Sequence, residues 1–467
     1  MPTRAPTETP RRGAKTSFAG EAFTKPLRQV RGQPARLRYP RSVQRARPRL
    51  IAGALLGLLL SGCTAAESAP VPFSAVVPLE GCGTIRALAE RDGELVGIAG
   101  PWSRESSQSG CLFAVKPGEA TARVLTRLED DGHALAPHSL GVHDGAAFVA
   151  SSYEHKEHGV TIEVHRWRSG QLSELLERPL EWVSIYSGRV SLTLPAGEPT
   201  VALSRTESSW CGTGLDRTPR TLMLNGDTKR EQASPVQTAS VAAATALGGS
   251  SVVLGGRDAI PGAAIKMSRS SSVAVVTRLS PTGAQEWTRE LYAPGAQDFL
   301  ELINAAREAA DPDTPFRLSD EQRERADSYD VRPIDVAAKD DAVFVLARFG
   351  DKLELHALAA EDGSSRWRAV VGDDYDGRID VGAEIGVTHV VEHGADALRV
   401  ARVVYDESGR QLRAGSRQVK VEGDYYGLEL LTASTGHVWL AASRDEDLES
   451  SLPMAWVVDL GPIASPS

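Results

Sequence analysis

The stretch Pro333-Ile334-Asp335-Val336-Ala337-Ala338-Lys339-Asp340-Asp341-Ala342-Val343-Phe344-Val345-Leu346-Ala347-Arg348 decides how the chain is read. An alternating run leads into a polar turn, and a second apolar run follows. Period-two alternation broken by Asp or Gly is hairpin chemistry. The pattern recurs at 84–100, 138–152, 190–205, 239–256, 379–394 and 429–443. After each pair comes a third strand that closes on a glycine turn, at Gly118, Gly170, Gly226, Gly283, Gly363, Gly409 and Gly461. These glycines lie 52, 56, 57, 80, 46 and 52 residues apart. Trp287 and Trp367 each stand four residues after their glycine, and a fourth strand continues from there.

Three or four antiparallel strands repeated seven times resemble a β-propeller, whose blades are four-stranded sheets around a channel. The resemblance spans 73–461 and is nearest to quinoprotein-like and related bacterial propeller repeats, without the Trp-Asp signature of the WD40 class. The expected fold is therefore all-β: one propeller of seven blades with four antiparallel strands each. A string of two-sheet sandwiches is the alternative. The seventh repeat stops after its third strand, at Asp459-Leu460-Gly461. An orphan strand, Phe73-Ser74-Ala75-Val76-Val77-Pro78-Leu79, is expected to complete that blade, close the ring and hide two sheet edges.

The one long gap holds an insertion, 295–330, in which Phe299, Leu302, Ile303, Ala306 and Ala310 share a helical face. Pro312 marks its stop, and Ser319-Asp320-Glu321-Gln322 has capping-box spacing for a second helix. Packing of the apolar stripe on the propeller is favoured over a lid or docking pair. The propeller resemblance implies that this insertion and the segments 100–111, 153–160, 205–220 and 257–272 share one face. Elaborated loops on a rigid scaffold are where binding concentrates.

Ahead of the repeats, Arg41, Arg45, Arg47 and Arg49 precede the apolar run 50–59, followed by Leu60-Ser61-Gly62-Cys63. A basic flank, a short apolar core and small residues at a cut site make a secretory signal, and the core is too short to span a bilayer. The last four residues resemble the lipobox of bacterial lipoproteins. That resemblance implies recognition of Leu60, Ser61 and Gly62 by signal peptidase II. It also implies lipidation of Cys63 with acyl chains such as palmitate, and a lipid anchor at the cell envelope. Thr64 after the cysteine, rather than Asp, favours the outer membrane by the same resemblance. Residues 1–49 read as a disordered basic leader or the product of an upstream start codon, 50–62 as signal core and cleavage region, 63–72 as a tether and 462–467 as a tail. Residues 1–62 hold 13 of the 52 Lys and Arg but 2 of the 61 Asp and Glu. The remaining 405 residues are near −20, a charge that disfavours nucleic acid as a partner.

With Cys63 lipidated, Cys82, Cys111 and Cys211 remain in an oxidising compartment. Cys82–Cys111 is the preferred pairing, with Cys111–Cys211 and Cys82–Cys211 as alternatives. Six of the ten histidines fall at His133, His138, His143, His155, His158 and His165. His155 and His158, beside Glu154 and Glu157, are a metal-ligand candidate, set against a solvated polar loop. The acidic turns 373–377 and 445–447 lack the ligand spacing of an EF-type calcium loop. No nucleophile elbow, phosphate loop or dinucleotide fingerprint occurs, so no catalytic residue is named and no cofactor is expected. The leading functional reading is a lipid-anchored envelope module that binds or scaffolds a protein, peptide or glycan. The alternatives are an envelope lyase or hydrolase working at the channel mouth and an outer-membrane assembly scaffold.

Overall fold

The computed structural model describes residues 76–77, 82–100, 109–116, 119, 121–130, 133–155, 159–180, 190–205, 220–225, 232–233, 240–257, 273–309, 317–373, 376–393, 397–420, 425–444 and 455–463. A two-residue strand, β1 (Val76–Val77), comes first. The next sheet is built from β2 (Thr84–Arg91), β3 (Glu94–Gly100), β4 (Gly110–Val115), β5 (Arg123–Asp130) and β6 (His133–Ala134). Then follow β7 (Ala136–His143), β8 (Ala146–His155), β9 (Gly159–Arg168) and β10 (Gln171–Leu180). The third sheet has β11 (Val190–Thr193), β12 (Thr200–Arg205), β13 (Arg220–Asn225) and β14 (Gln232–Ala233). The fourth has β15 (Ser240–Leu247), β16 (Ser250–Arg257), β17 (Val273–Leu279) and β18 (Gln285–Tyr292). The fifth has β19 (Val331–Lys339), β20 (Ala342–Phe349), β21 (Lys352–Ala359) and β22 (Ser365–Gly372). The sixth has β23 (Gly377–Val381), β24 (Ile385–His393), β25 (Ala397–Tyr405) and β26 (Gln411–Lys420). The last has β27 (Tyr425–Thr432), β28 (His437–Arg444) and β29 (Ala455–Pro462), with β1 paired to β29 at Val76↔Trp456 and Val77↔Ala455.

Innermost strands touch in succession: β2 lies on β7, β7 on β11, β11 on β15, β15 on β19, β19 on β23, β23 on β27, and β27 on β2. The fold is an all-β propeller with few helices. Every sheet is antiparallel with its strands in chain order, β1 beside β29 excepted, so the segments joining sheets and those joining second to third strands leave from one end, the loop end. The hairpins close the other. There the turns Asp92-Gly93, Asp144-Gly145 and Ser169-Gly170 have φ of 51 and 78°, 47 and 67°, and 51 and 85°. Two consecutive left-handed residues match the twist of the flanking strands, which explains Asp or Ser followed by Gly.

The core is a series of seams between sheets. Phe148, Ile162 and Val164 meet Leu192 and Leu203, Leu346 and Leu355 meet Ile385 and Val387, and Trp439 and Ala441 meet Ile85 and Phe113. Second and third strands are buried on both faces, and that is why 342–347 reads as a continuous apolar run. Two seams carry the same device. Trp287 Nε1 donates to the Ala360 carbonyl at 2.8 Å, and Trp367 Nε1 donates to that of Glu407 at 2.8 Å. Each indole lies on the turn glycine of the next sheet, Gly363 or Gly409, where a Cβ would come within 2.7 or 2.6 Å of the ring.

Between β18 and β19 the chain forms α1 (Ala296–Glu308) and α2 (Asp320–Ser328). The expected capping box forms: Ser319 Oγ accepts from Gln322 N, and Gln322 Oε1 accepts from Ser319 N. Phe299 and Ile303 are buried with Leu300, Leu318 and Ala326, against Tyr292 and Tyr329. Leu302, expected on the buried stripe, is instead 56% exposed, because the packed face runs through Ala296, Phe299, Leu300 and Ile303. Ala306 is exposed too, and Ala310 lies outside the described residues. No helix among the described residues is long and apolar enough to cross a membrane.

Candidate functional site

Four innermost strands carry an extra residue at the same height. The pairing slips between Ile85 and Ala87, Pro137 and Ser139, Val241 and Ala243, and Pro333 and Asp335, so Arg86, His138, Ala242 and Ile334 bulge. Bulges re-aim side chains. Near these bulges, toward the loop end, charges alternate over neighbouring sheets. Arg378 on β23 donates to Glu429 of β27, Nη2 to Oε2 at 2.7 Å, and to its neighbour's carbonyl, Gly377 O, at 3.2 Å. Asp335 on β19 accepts from the backbone N–H of Ile379 at 2.8 Å and of Val336 at 3.0 Å. Arg332 lies 3.9 Å from Asp376. Burial works against the Arg378 charge, yet Glu429, Asp335 and Asp376 together lift its pKa above the ordinary value. Arg86 of β2 is drawn down by burial, with Glu429 opposing. The run Asp335, Arg378, Glu429, Arg86 thus spans the fifth, sixth, last and first sheets in ring order. Such a mouth presents both signs of fixed charge to a ligand at the loop end, the end from which the segment holding α1 and α2 also leaves.

A second polar knot is structural. Arg402 is paired with Asp380 and donates to Thr388 at 3.0 Å and Thr432 at 2.8 Å, joining the sixth sheet to the last. Gly386 makes room for it, since a Cβ there would lie 2.3 Å from Arg402 Nη2. At the closing seam, Ser443 Oγ accepts from Ile85 N at 2.9 Å, and Ser434 Oγ donates to Glu90 at 2.8 Å.

The third strands of the second and fifth sheets each bury Glu-x-His at matching register. Glu163 and His165 pair with Ser151 and Val149, while Glu354 and His356 pair with Ala347 and Val345. The carboxylate and ring stand 3.6 Å apart in the first case and 3.0 Å in the second.

Of the predicted site residues, Cys82 and Cys111 form a disulfide with Cα atoms 5.4 Å apart, both fully buried. It ties the segment leading into β2 to the start of β4. The clustered histidines disperse: His138 contacts Ser152 Oγ at 2.7 Å, His143 stands 3.5 Å from Asp144, and His165 faces Glu163. His155 ends β8, whereas His158, Cys211, Leu60, Ser61, Gly62 and Cys63 lie outside the described residues, as does the turn 445–447. Among the described residues, no group of three or more His, Cys, Asp or Glu is placed to hold a metal. No motif or spacing in the sequence marks the mouth charges. Each is a charged residue with an apolar neighbour on either side in its inner strand, as at Ile85-Arg86-Ala87 and Gly377-Arg378-Ile379.

No protein-family model and no curated protein matches the chain. Among solved structures it is similar to a prolyl endopeptidase, at 12% identity over 82% of this chain and 51% of that one, with a TM-score of 0.40. The chain thus spans about half the length of that enzyme. It is also similar to a protein of unknown function from Dyadobacter fermentans DSM 18053, at 8% identity over 82% and 96% of the two chains, with a TM-score of 0.39. Trypanosoma rangeli sialidase, solved with sialic acid, matches at 8% identity over 84% and 57%, with a TM-score of 0.36. Likenesses this distant assign no activity.

Proposed function

We propose that the chain is a seven-bladed propeller lipoprotein, anchored at the cell envelope through Cys63, that binds a protein, peptide or glycan at its loop end. The observation that carries the binding reading is the alternating chain Asp335, Arg378, Glu429, Arg86 at the ring's mouth. Fixed charges of both signs at the end of the ring where sheets are joined suit recognition of a polar partner. Counting each sheet as one blade supports seven, and the pairing of β1 with β29 supports a closing strand over 73–79. Leu60-Ser61-Gly62-Cys63 behind its arginine flank supports the anchor. Because β1 runs antiparallel to β29, it starts at the hairpin end. A tether over 64–71 reaches at most ~28 Å, so lipid at Cys63 would keep the hairpin end toward the outer membrane and the loop end away from it.

Cross-linking and pull-down from envelopes tests the reading. The lipidated protein should recover one stoichiometric partner, an outer-membrane assembly component among the outcomes. The Arg378→Met/Glu429→Leu variant should lose it, and equal recovery would refute the mouth as the site. Cys63→Ala should move the protein to the soluble fraction. Unchanged membrane retention would sink the anchor.

A further inference from the structure

We infer that the β9–β10 hairpin of the second sheet carries a binding site for a phosphate ester, held by Arg166 and Arg168. The two side chains lie two residues apart on β9, on one face of the strand, with Cα atoms roughly 6.6 Å apart. They border an open depression of about 490 Å³ together with Ser169, Gln171, Leu172 and Ser173.

Charge sets this place apart. Many other arginines hold carboxylates, among them Arg91 with Glu94, Arg257 with Glu290, Arg278 with Glu286 and Arg413 with Glu384. Arg166 and Arg168 have no carboxylate within ion-pair distance among the described residues, and both side chains are exposed. Two adjacent unneutralised guanidiniums repel each other, and an anion between them relieves that repulsion. In a mature chain near −20 such a pair stands out.

The surrounding groups narrow the anion. Each guanidinium offers a fork that matches phosphate or carboxylate oxygens. The Ser169 hydroxyl and Gln171 amide add neutral donors, more than the two oxygens of a carboxylate use, whereas a phosphate ester presents three or more acceptors. Leu172, paired with Trp167, packs into the seam on the other face and anchors the hairpin under the site. Ser173 Oγ is committed: it donates to the Arg166 carbonyl at 3.2 Å and braces the hairpin. The turn at Ser169-Gly170 is the tight left-handed pair described above, so the donors sit on a short, rigid loop. The site is at the hairpin end, the end that the proposed anchor would hold toward lipid. Its ligand chemistry does not depend on that anchor.

Two arms distinguish a soluble ester from a lipid headgroup. In the first, full-length protein in an uncharged, phosphate-free detergent is titrated with glycerol 3-phosphate by calorimetry at low ionic strength. In the second, the full-length Cys63→Ala chain is sedimented with phosphatidylcholine vesicles, with and without phosphatidylglycerol. Binding is expected in at least one arm. The Arg166→Gln/Arg168→Gln variant should lose about tenfold or more, since charge-assisted hydrogen bonds of this kind are each worth about that factor. Arg166→Lys/Arg168→Lys, which keeps charge but not the forks, should fall between. Both arginines are exposed, so an unchanged melting curve is expected to accompany the loss. Binding in the first arm alone assigns a soluble ester, and binding in the second alone a headgroup. No binding in either arm, or equal binding by the glutamine variant, overturns the assignment.

Discussion

Gly409→Ala tests whether the tryptophan seams hold the propeller together, because the fold supplies its own control. Gly409, between β25 and β26, and Gly436, between β27 and β28, end hairpin turns of the same kind, at φ of 82 and 81°. Each donates its N–H to the carbonyl three residues back, Gly409 to Asp406 at 3.0 Å and Gly436 to Ala433 at 2.8 Å. Alanine therefore suffers the same left-handed penalty at both, about 1–2 kcal/mol. The surroundings differ. A Cβ on Gly409 would stand 2.6, 2.8 and 2.9 Å from Trp367 Cδ2, Cε3 and Cγ, whereas nothing lies within 4 Å of one on Gly436. The indole would have to tilt, which strains its hydrogen bond to Glu407, and overpacking of this kind costs about 1–3 kcal/mol. Urea unfolding followed by circular dichroism should show Gly409→Ala less stable than Gly436→Ala by that difference, with unchanged slope. Combining Gly409→Ala with Trp367→Ala should give a loss smaller than the sum by about 1 kcal/mol. Equal losses for the two glycines, or strict additivity, would refute the seam.

Three further outcomes are expected. Arg402→Met leaves Asp380 without its partner and takes a donor from buried Thr388, which should cost about 3 kcal/mol in denaturant melts. Cys82→Ser opens a loop with 29 residues of separation and should cost about 3–4 kcal/mol, matched by reduction of the native protein and absent from the already reduced chain. Burial opposes the Glu94 charge, but Arg123 and Arg91 prevail and hold its carboxyl below the ordinary 4.5. Its contribution is therefore fully present above about pH 4.5 and disappears as pH falls through the lower folded value. A pH series of urea midpoints should accordingly show a shallower acid limb for Glu94→Gln than for the parent.

The ring was legible because each repeat solves the same local problem. Alternation and Asp-Gly turns mark 84–100 and 138–152 as hairpins without reference to anything distant. Trp287 and Trp367 stood out four residues past their glycines, but their partners, Gly363 and Gly409, belong to the next sheet. Spacing within a repeat cannot name a neighbour across a seam. The mouth charges are harder still: Arg86 and Glu429 are separated by nearly the whole repeat array and share no motif. A bulge, which brings such residues into the channel, leaves no pattern except one residue too many. The histidines show the converse. Six lie near one another in sequence, yet alternation along β7 and β9 distributes His138, His143 and His165 among different seams and ends.

The Cys82–Cys111 bridge lies wholly inside the sheet that comes first in chain order. Its oxidation needs none of the later strands. During synthesis the first sheet can therefore be stapled long before β27 and β28 exist to dock on it. When they arrive, Ile85 N and Glu90 already stand on a braced template to receive Ser443 and Ser434. The final step of assembly becomes the landing of a late, compliant sheet on an early, rigid one. Oxidation state thus sets how well prepared that landing surface is.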